Sequence, residues 1–226
     1  MPKQNFNFAK ISEDLLKGLP ERTAGVISRR FGLQGKEGET LEAIGDDFGV
    51  TRERVRQIER DGLNKIKSKL AKYQKIVDYF NDYLKSVGGL KKEDALLSDL
   101  GGEKFQAHVF FILSLSDAFK REPETNDLHT FWLVDSKAVN FAKVAIDSFY
   151  EKLIQTKEPM SIEDAPASKK LDSQTILSFL EVSKKIKQGY NGLYGLREWP
   201  EISPRGVKDK AYLVFKQEGK PLHFTR

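Results

Sequence analysis

The sequence has no cysteine, only three histidines and two methionines, and no apolar run near the roughly 20 residues that span a bilayer. Without cysteine there is no disulfide, no thiol nucleophile and no thiolate-bound zinc. His108, His129 and His223 stand far apart and share no ligand spacing, so no metal site is expected. Gly88-Gly89 and Gly101-Gly102 are not followed by the Gly-Lys-Ser/Thr of a phosphate loop. Lys120, Glu122, Glu124 and Asp127 form a polar cluster whose spacing fits no metal-carboxylate motif and reads as a solvated turn. The opening stretch MPKQNFNFAKISEDLL lacks the apolar core of a signal peptide. These absences argue against an enzyme, a cofactor, a small-molecule substrate and a membrane partner, and they suit a reducing cytoplasm.

What is present is a concentration of positive charge. The 226 residues are enough for one to three small domains, with 39% hydrophobic and 31% charged residues and a net charge of +5. Between Thr51 and Lys75 there are nine basic residues and three acids, so this window holds +6 and the remainder sums to −1. Such a segment suits a surface facing phosphates. A solvated basic helix has the same composition, so charge alone does not decide.

Helix signals organise the first third. Ser12-Glu13-Asp14 reads as a helix start, and Leu19-Pro20-Glu21-Arg22 begins a second helix with Pro in its first turn. Gly32 and the stretch from Gly35 to Gly38 break the chain. Thr40 is placed to cap a third helix and Thr51 a fourth, with Gly49-Val50 between them. That fourth helix continues, or is followed by another, through Ile76, Val77, Phe80 and Leu84.

Further on, a weak repeat is expected. Segments starting at Ile76, Val144 and Val207 each give an apolar-periodic helix, a Gly or Pro break, and an apolar residue (Leu90, Met160, Leu222). In the first two, a Glu-Asp-Ala triplet follows and is expected to open another helix. Phe105 to Phe119 reads as an apolar helix, and Asp127 to Val134 as a strand. Helix, helix, helix, strand is the order of a winged helix. The fold class expected is therefore mainly α, a helix-turn-helix bundle followed by winged-helix-like units with short β wings. The expected boundaries are 12–75, 76–135, 138–200 with a linker, and 204–226 as the start of a third unit. Trp199, with Pro200 and Pro204, is expected to anchor a connection, an exposed partner site being the alternative. The third unit stops after one helix and turn, so the chain is expected to be a fragment or a truncated form.

Between Leu41 and Arg60 the pattern meets the needs of two short helices crossing steeply. Ile44, Phe48, Val50, Val55 and Ile58 supply a shared interior, Gly45 is small where the helices touch, and Gly49 suits a tight turn with positive φ. At about 100° per residue, Val55, Ile58, Gly62 and Ile66 fall on one face of the fourth helix. Glu53, Arg56, Gln57, Arg60 and Asn64 fall on the other. Arg52 and Glu53 sit in the N-terminal turn, the part of a recognition helix that enters the major groove. Arg pairs with guanine, Gln with adenine, and Glu accepts from cytosine. The base-reading candidates are accordingly Arg52, Glu53, Arg56 and Gln57. The phosphate candidates are Thr51, Arg54, Arg60, Lys65, Lys67 and Lys69, with Lys72 a further positioning cation. A three-helix bundle with a charged face is the alternative reading.

The run LPERTAGVISRRFGLQGKEGETLEAIGDDFGVTRERVRQIERDGLNKIK, starting at Leu19, resembles region 4 of the primary bacterial sigma factors, most strongly in FGVTRERVRQIE from Phe48. The resemblance implies a helix-turn-helix that reads a promoter −35 element in double-stranded DNA, and a contact with the flap of the RNA polymerase β subunit. It implies base or phosphate contacts for Arg52, Glu53, Arg56 and Gln57, and more weakly Arg54. Thr23-Ala24 departs from the Arg-Glu usual there, which bears on the polymerase contact. The segment from Ser183 onwards, SKKIKQGYNGLYGLREWPEISPRGVKDKAYLVFKQEGKPLHF, resembles the linker and start of a HARE-type winged helix. Ser12 lies too near the chain start for the sigma region that melts the −10 element, so a transcription regulator is expected and not a complete sigma factor. A nucleoid-associated cytoplasmic location follows from that expectation. An adaptor that binds RNA polymerase and hardly touches free DNA is the rival function.

Overall fold

The structure, a computed structural model, describes residues 6–35 and 37–218. Helices dominate: α1 (Phe8–Leu16), α2 (Glu21–Phe31), α3 (Leu41–Phe48), α4 (Arg52–Lys67) and α5 (Gln74–Ser86) come first. They are followed by β1 (Leu90–Lys92), α6 (Glu93–Gly101), α7 (Gln106–Leu115), β2 (Lys120–Glu122) and β3 (Phe131–Leu133). Next come α8 (Lys137–Thr156), α9 (Ser173–Val182), β4 (Ile186–Gln188), β5 (Tyr194–Leu196) and α10 (Val207–Glu218). No helix among the described residues is long and apolar enough to cross a membrane.

The helix starts follow from local chemistry. Asn7, Thr40, Thr51 and Asp172 each accept a hydrogen bond from the backbone N–H three residues on, which satisfies one open donor at the first turn. The first helix therefore starts at Phe8 and not at Ser12. Ser12 is a buried residue inside α1, where its Oγ lies 2.9 Å from His108 Nδ1. After α4 the chain tightens into a 3₁₀ turn over Ser68–Tyr73 before α5 begins.

Two winged-helix orders follow the helix-turn-helix. In the first, α5, β1, α6, α7, β2 and β3 succeed one another, and the sheet runs β1-β3-β2. β1 pairs antiparallel with β3, Leu90 facing Leu133 and Lys92 facing Phe131. The second repeats the order: α8, a single bridge between Met160 and Tyr194, a 3₁₀ turn over Pro166–Lys169, α9, then the antiparallel β4–β5 hairpin. The Glu-Asp-Ala triplet at 93–95 does open α6, but the one at 163–165 opens no α-helix. Pro166 follows it, and the residue before a proline is pushed out of the helical region, so a 3₁₀ turn forms instead. The third repeat contributes α10, while its turn, Leu222, His223 and Phe224, lies outside the described residues.

The described residues gather into two compact units, one within Met1–Lys85 and Glu93–Lys120, the other within Ser86–Lys92 and Arg121–Arg226. The segment 76–135, expected as one unit, is thus divided: α6 and α7 group with the helix-turn-helix, and β1 and β3 group with α8 and α9. Apolar burial explains the division. In the first unit α7 buries His108, Val109, Phe111, Ile112, Leu113 and Leu115 and packs on both α1 and α2. Phe8 stacks on Phe80, and Phe111 meets Phe31 edge-on at 5.2 Å. In the second unit Leu90, Phe131 and Leu133 share a core with Ala138, Ala142, Phe179 and Val182. A neighbouring core of Phe149, Leu153, Ile176, Leu180, Tyr194 and Leu196 is covered by the half-buried Trp199, which anchors the chain after β5.

Candidate nucleic-acid interface

The helix-turn-helix is held by a small core. Val26, Ile44 and Val55 are fully or almost fully buried, and Leu41, Phe48, Val50 and Ile58 pack around them. Gly45 lies where α3 meets the turn, and a Cβ there would stand 2.7 Å from the Val50 carbonyl oxygen. Gly49 ends α3 with φ of 62°, the left-handed region in which glycine is not penalised. Further along α4, a Cβ on Gly62 would come 2.6 Å from the Thr23 methyl and 2.8 Å from Ile27 Cδ1, so the missing side chain sets how closely α2 approaches.

Charged side chains fasten α2 to α3. Arg29 forms ion pairs with Glu39, just before α3, and with Asp47 near its end, and these carboxylates raise its already high pKa. Arg22 donates to the Phe48 carbonyl at 3.0 Å, and its guanidinium lies 5.3 Å from the Phe48 ring centroid. Arg22 and Arg29 were not among the sequence candidates. Their partners lie 26 residues away for Arg22 and 10 and 18 residues away for Arg29, and no local spacing announces them.

Locked in this way, α4 buries Val55, Gly62 and Ile66 and turns Arg52, Glu53, Arg54, Arg56 and Arg60 to solvent, with Gln57 half-buried beside them. Arg56 donates twice to Glu53, at 2.8 and 2.7 Å, and that pairing holds the Glu53 carboxyl below its ordinary pKa. Arg54 donates to Gln57 Oε1 at 3.2 Å. Arg60 lies 3.6 Å from Asp61. The side chains of Arg52 and Lys65 have no hydrogen-bond or ion-pair partner among the described residues. Thr51 caps the helix, its Oγ1 accepting from the Arg54 N–H at 3.2 Å.

Two of the expected phosphate candidates have partners within the protein. Lys67, at the end of α4, reaches Asp117 at 2.5 Å. Lys69 lies in the 3₁₀ turn, half-buried, with its ammonium on the carbonyls of Leu15 and Lys17, where it satisfies open acceptors at the end of α1. The two cases have different causes: Lys67 still belongs to α4 and is drawn to Asp117, whereas Lys69 lies past the helix end, where the turn swings it off the polar face.

Glu59 is half-buried, with a carboxyl pKa raised by desolvation and opposed by Arg30 at 3.8 Å, which marks it as a packing residue. The polar cluster after β2 is also structural, since Glu124 pairs with Lys184 at 2.5 Å and Asp127 with Lys185 at 2.8 Å. Among the described residues no group of three or more His, Asp and Glu is arranged to hold a metal ion.

The sigma-70 region 4 family matches this chain over residues 15–68, the stretch running from the end of α1 through α4. An RNA polymerase sigma factor, SigA, of a Bacillus species is 51% identical over 55 residues, which cover 24% of this chain and 15% of that protein. The N-terminal third of the chain therefore carries a sigma region 4 helix-turn-helix, and winged units follow it.

Proposed function

We propose that the chain is a sequence-preferring DNA-binding protein that regulates transcription initiation, with α4 lying in the major groove of a −35-like element. The observation that carries this reading is the exposure of Arg52, Glu53 and Arg56 at the start of α4 while Val55 and Ile66 anchor its other side. Arg52, Glu53, Arg56 and Gln57 read bases in this proposal. Thr51, Arg54, Arg60 and Lys65 meet phosphates. The Glu53–Arg56 pair holds two reading groups at a fixed spacing before DNA arrives, so fewer rotamers are lost on binding. A cytoplasmic, nucleoid-associated location goes with this role, as does contact with RNA polymerase, including the flap of its β subunit.

Selection of binding sites from random duplexes, at a stated salt concentration, tests the proposal. Enrichment of a TTGACA-like hexamer is expected. Arg52→Ala with Gln57→Ala should cost about 5- to 150-fold in affinity for each lost base contact. An equal loss on selected and random duplexes would remove base reading from the proposal.

A second reading, a polymerase-binding adaptor with little intrinsic DNA affinity, draws on a specific observation. Residues 37–47 carry Glu37, Glu39, Glu42, Asp46 and Asp47 and no base, directly before the reading helix. Arg29 engages Glu39 and Asp47, and the acidity of Glu37, Glu42 and Asp46 opposes approach to phosphates. Capture of the polymerase β flap by an Arg52→Ala/Gln57→Ala variant, together with a failed selection, is the outcome that favours it.

A further inference from the structure

The third helix of a winged-helix order is the one placed to enter a groove, yet α9 is not available for that. It buries Thr175, Ile176, Ser178, Phe179, Leu180 and Val182, with Ser178 Oγ donating to the Leu90 carbonyl. It packs on β1, α8 and β4. The second unit leaves its β4–β5 hairpin exposed. From Val182 to Arg197 there are four basic residues, Lys184, Lys185, Lys187 and Arg197, and no acid. Lys184 and Lys185 are neutralised by Glu124 and Asp127. Lys187, Arg197 and the nearby Arg205 are exposed and form no ion pair among the described residues. Lys184, Lys185, Arg197 and Arg205, with Tyr150 and Glu198, line a cleft of about 300 Å³ at the hairpin base.

The tip is built differently. Tyr190 is 91% exposed, the most exposed of the large apolar and aromatic side chains described. The turn that carries it is firmly tied. Gly189 N–H donates to the Leu193 carbonyl at 2.8 Å, Gln188 Nε2 to the Gly192 carbonyl at 3.1 Å, and Leu193 N–H to Asn191 Oδ1 at 3.2 Å. A rigid turn that projects an aromatic ring into water, above a base carrying unpaired cations, is complementary to a surface with a groove beside a row of negative charges. Duplex DNA presents both together. A groove receives the tip, and the flanking phosphates meet the cations at the base.

We propose that the β4–β5 hairpin is a second contact with duplex DNA, made by Tyr190 at its tip and by Lys187, Arg197 and Arg205 at its base. The contact is indifferent to sequence, because its cations meet backbone and not base edges. It does not require α4 to read bases.

The test uses the full chain and a short random-sequence duplex, with affinity measured by fluorescence anisotropy over a range of salt concentrations. A Lys187→Ala/Arg197→Ala/Arg205→Ala variant should bind more weakly, and log affinity against log salt should become shallower by about 0.9 for each phosphate contact removed. Tyr190→Ala should weaken binding at every salt concentration and leave the slope unchanged. All four side chains are exposed, so unfolding curves should match the parent chain. A photoreactive residue at position 190 should crosslink to the duplex. Unchanged affinity and slope in both wing variants would overturn the proposal. Loss of binding to an acidic peptide with none to the duplex would overturn it equally. An Arg52→Ala/Gln57→Ala variant tested alongside separates the two claims. If only that variant fails to bind, the wing contact falls, and if only the wing variants fail, α4 is not the reading head.

Discussion

The orientation of α4 can be tested by two neighbouring substitutions with opposite consequences. Val55 is fully buried against Val26 and Ile44, whereas Arg56, the next residue, faces solvent. Val55→Ala removes two buried methyl groups, about 0.8 kcal/mol each by transfer, and the void left in so small a core raises the expected loss to about 2–3 kcal/mol. Urea unfolding should show that loss as a lower midpoint with an unchanged slope. The fraction that remains folded should keep its base preference. Arg56→Ala should do the reverse, leaving the midpoint where it was while affinity for the selected site falls by about 5- to 150-fold relative to random duplex. A loss below about 0.5 kcal/mol for Val55→Ala, the size of an ordinary surface substitution, would refute the burial argument. So would a midpoint for Arg56→Ala that falls as far as that of Val55→Ala.

Two further outcomes follow from the first unit. Gly49 has φ of 62° and open space where a Cβ would sit, so Gly49→Ala should cost about 1 kcal/mol by backbone strain alone. Gly49→Asn should recover much of that loss, and equal unfolding midpoints for Ala and Asn would show that strain is not the cause. Burial lowers the pKa of His108 beneath its ordinary 6.5. A group of this kind favours the folded state while neutral, so its contribution is present above about pH 6.5 and is lost as pH falls through the lowered value. The unfolding midpoint should therefore fall on acidification below about pH 6.5, and His108→Gln, which keeps a hydrogen-bonding partner for Ser12, should flatten that dependence.

Much of the helix-turn-helix was legible because its determinants are local. Capping by Thr40 and Thr51, the positive φ at Gly49, and the faces of α4 at Val55, Arg56 and Ile66 all depend on residues within a few positions of one another. Periodicity and cap chemistry operate at that range. The winged-helix order was legible for the same reason, as a succession of helices and short strands.

What only the tertiary structure decided is which charges are already engaged and which helices are already covered. Lys69 and Lys65 look alike in sequence, yet one sits on the carbonyls at the end of α1 and the other is free in solvent. Lys184 and Lys187 differ in the same way, because Glu124, far earlier in the chain, faces the first. α7 and α9 occupy the order of reading helices but are buried by partners distant in sequence. Apolar area removed from water outweighs an element's place in the chain order. The sequence by itself therefore determined where α4 forms and which side of it is polar. Folding, by bringing distant apolar and charged groups together, determined that α4 keeps that side exposed and that α9 is covered while the tip of the β4–β5 hairpin is not.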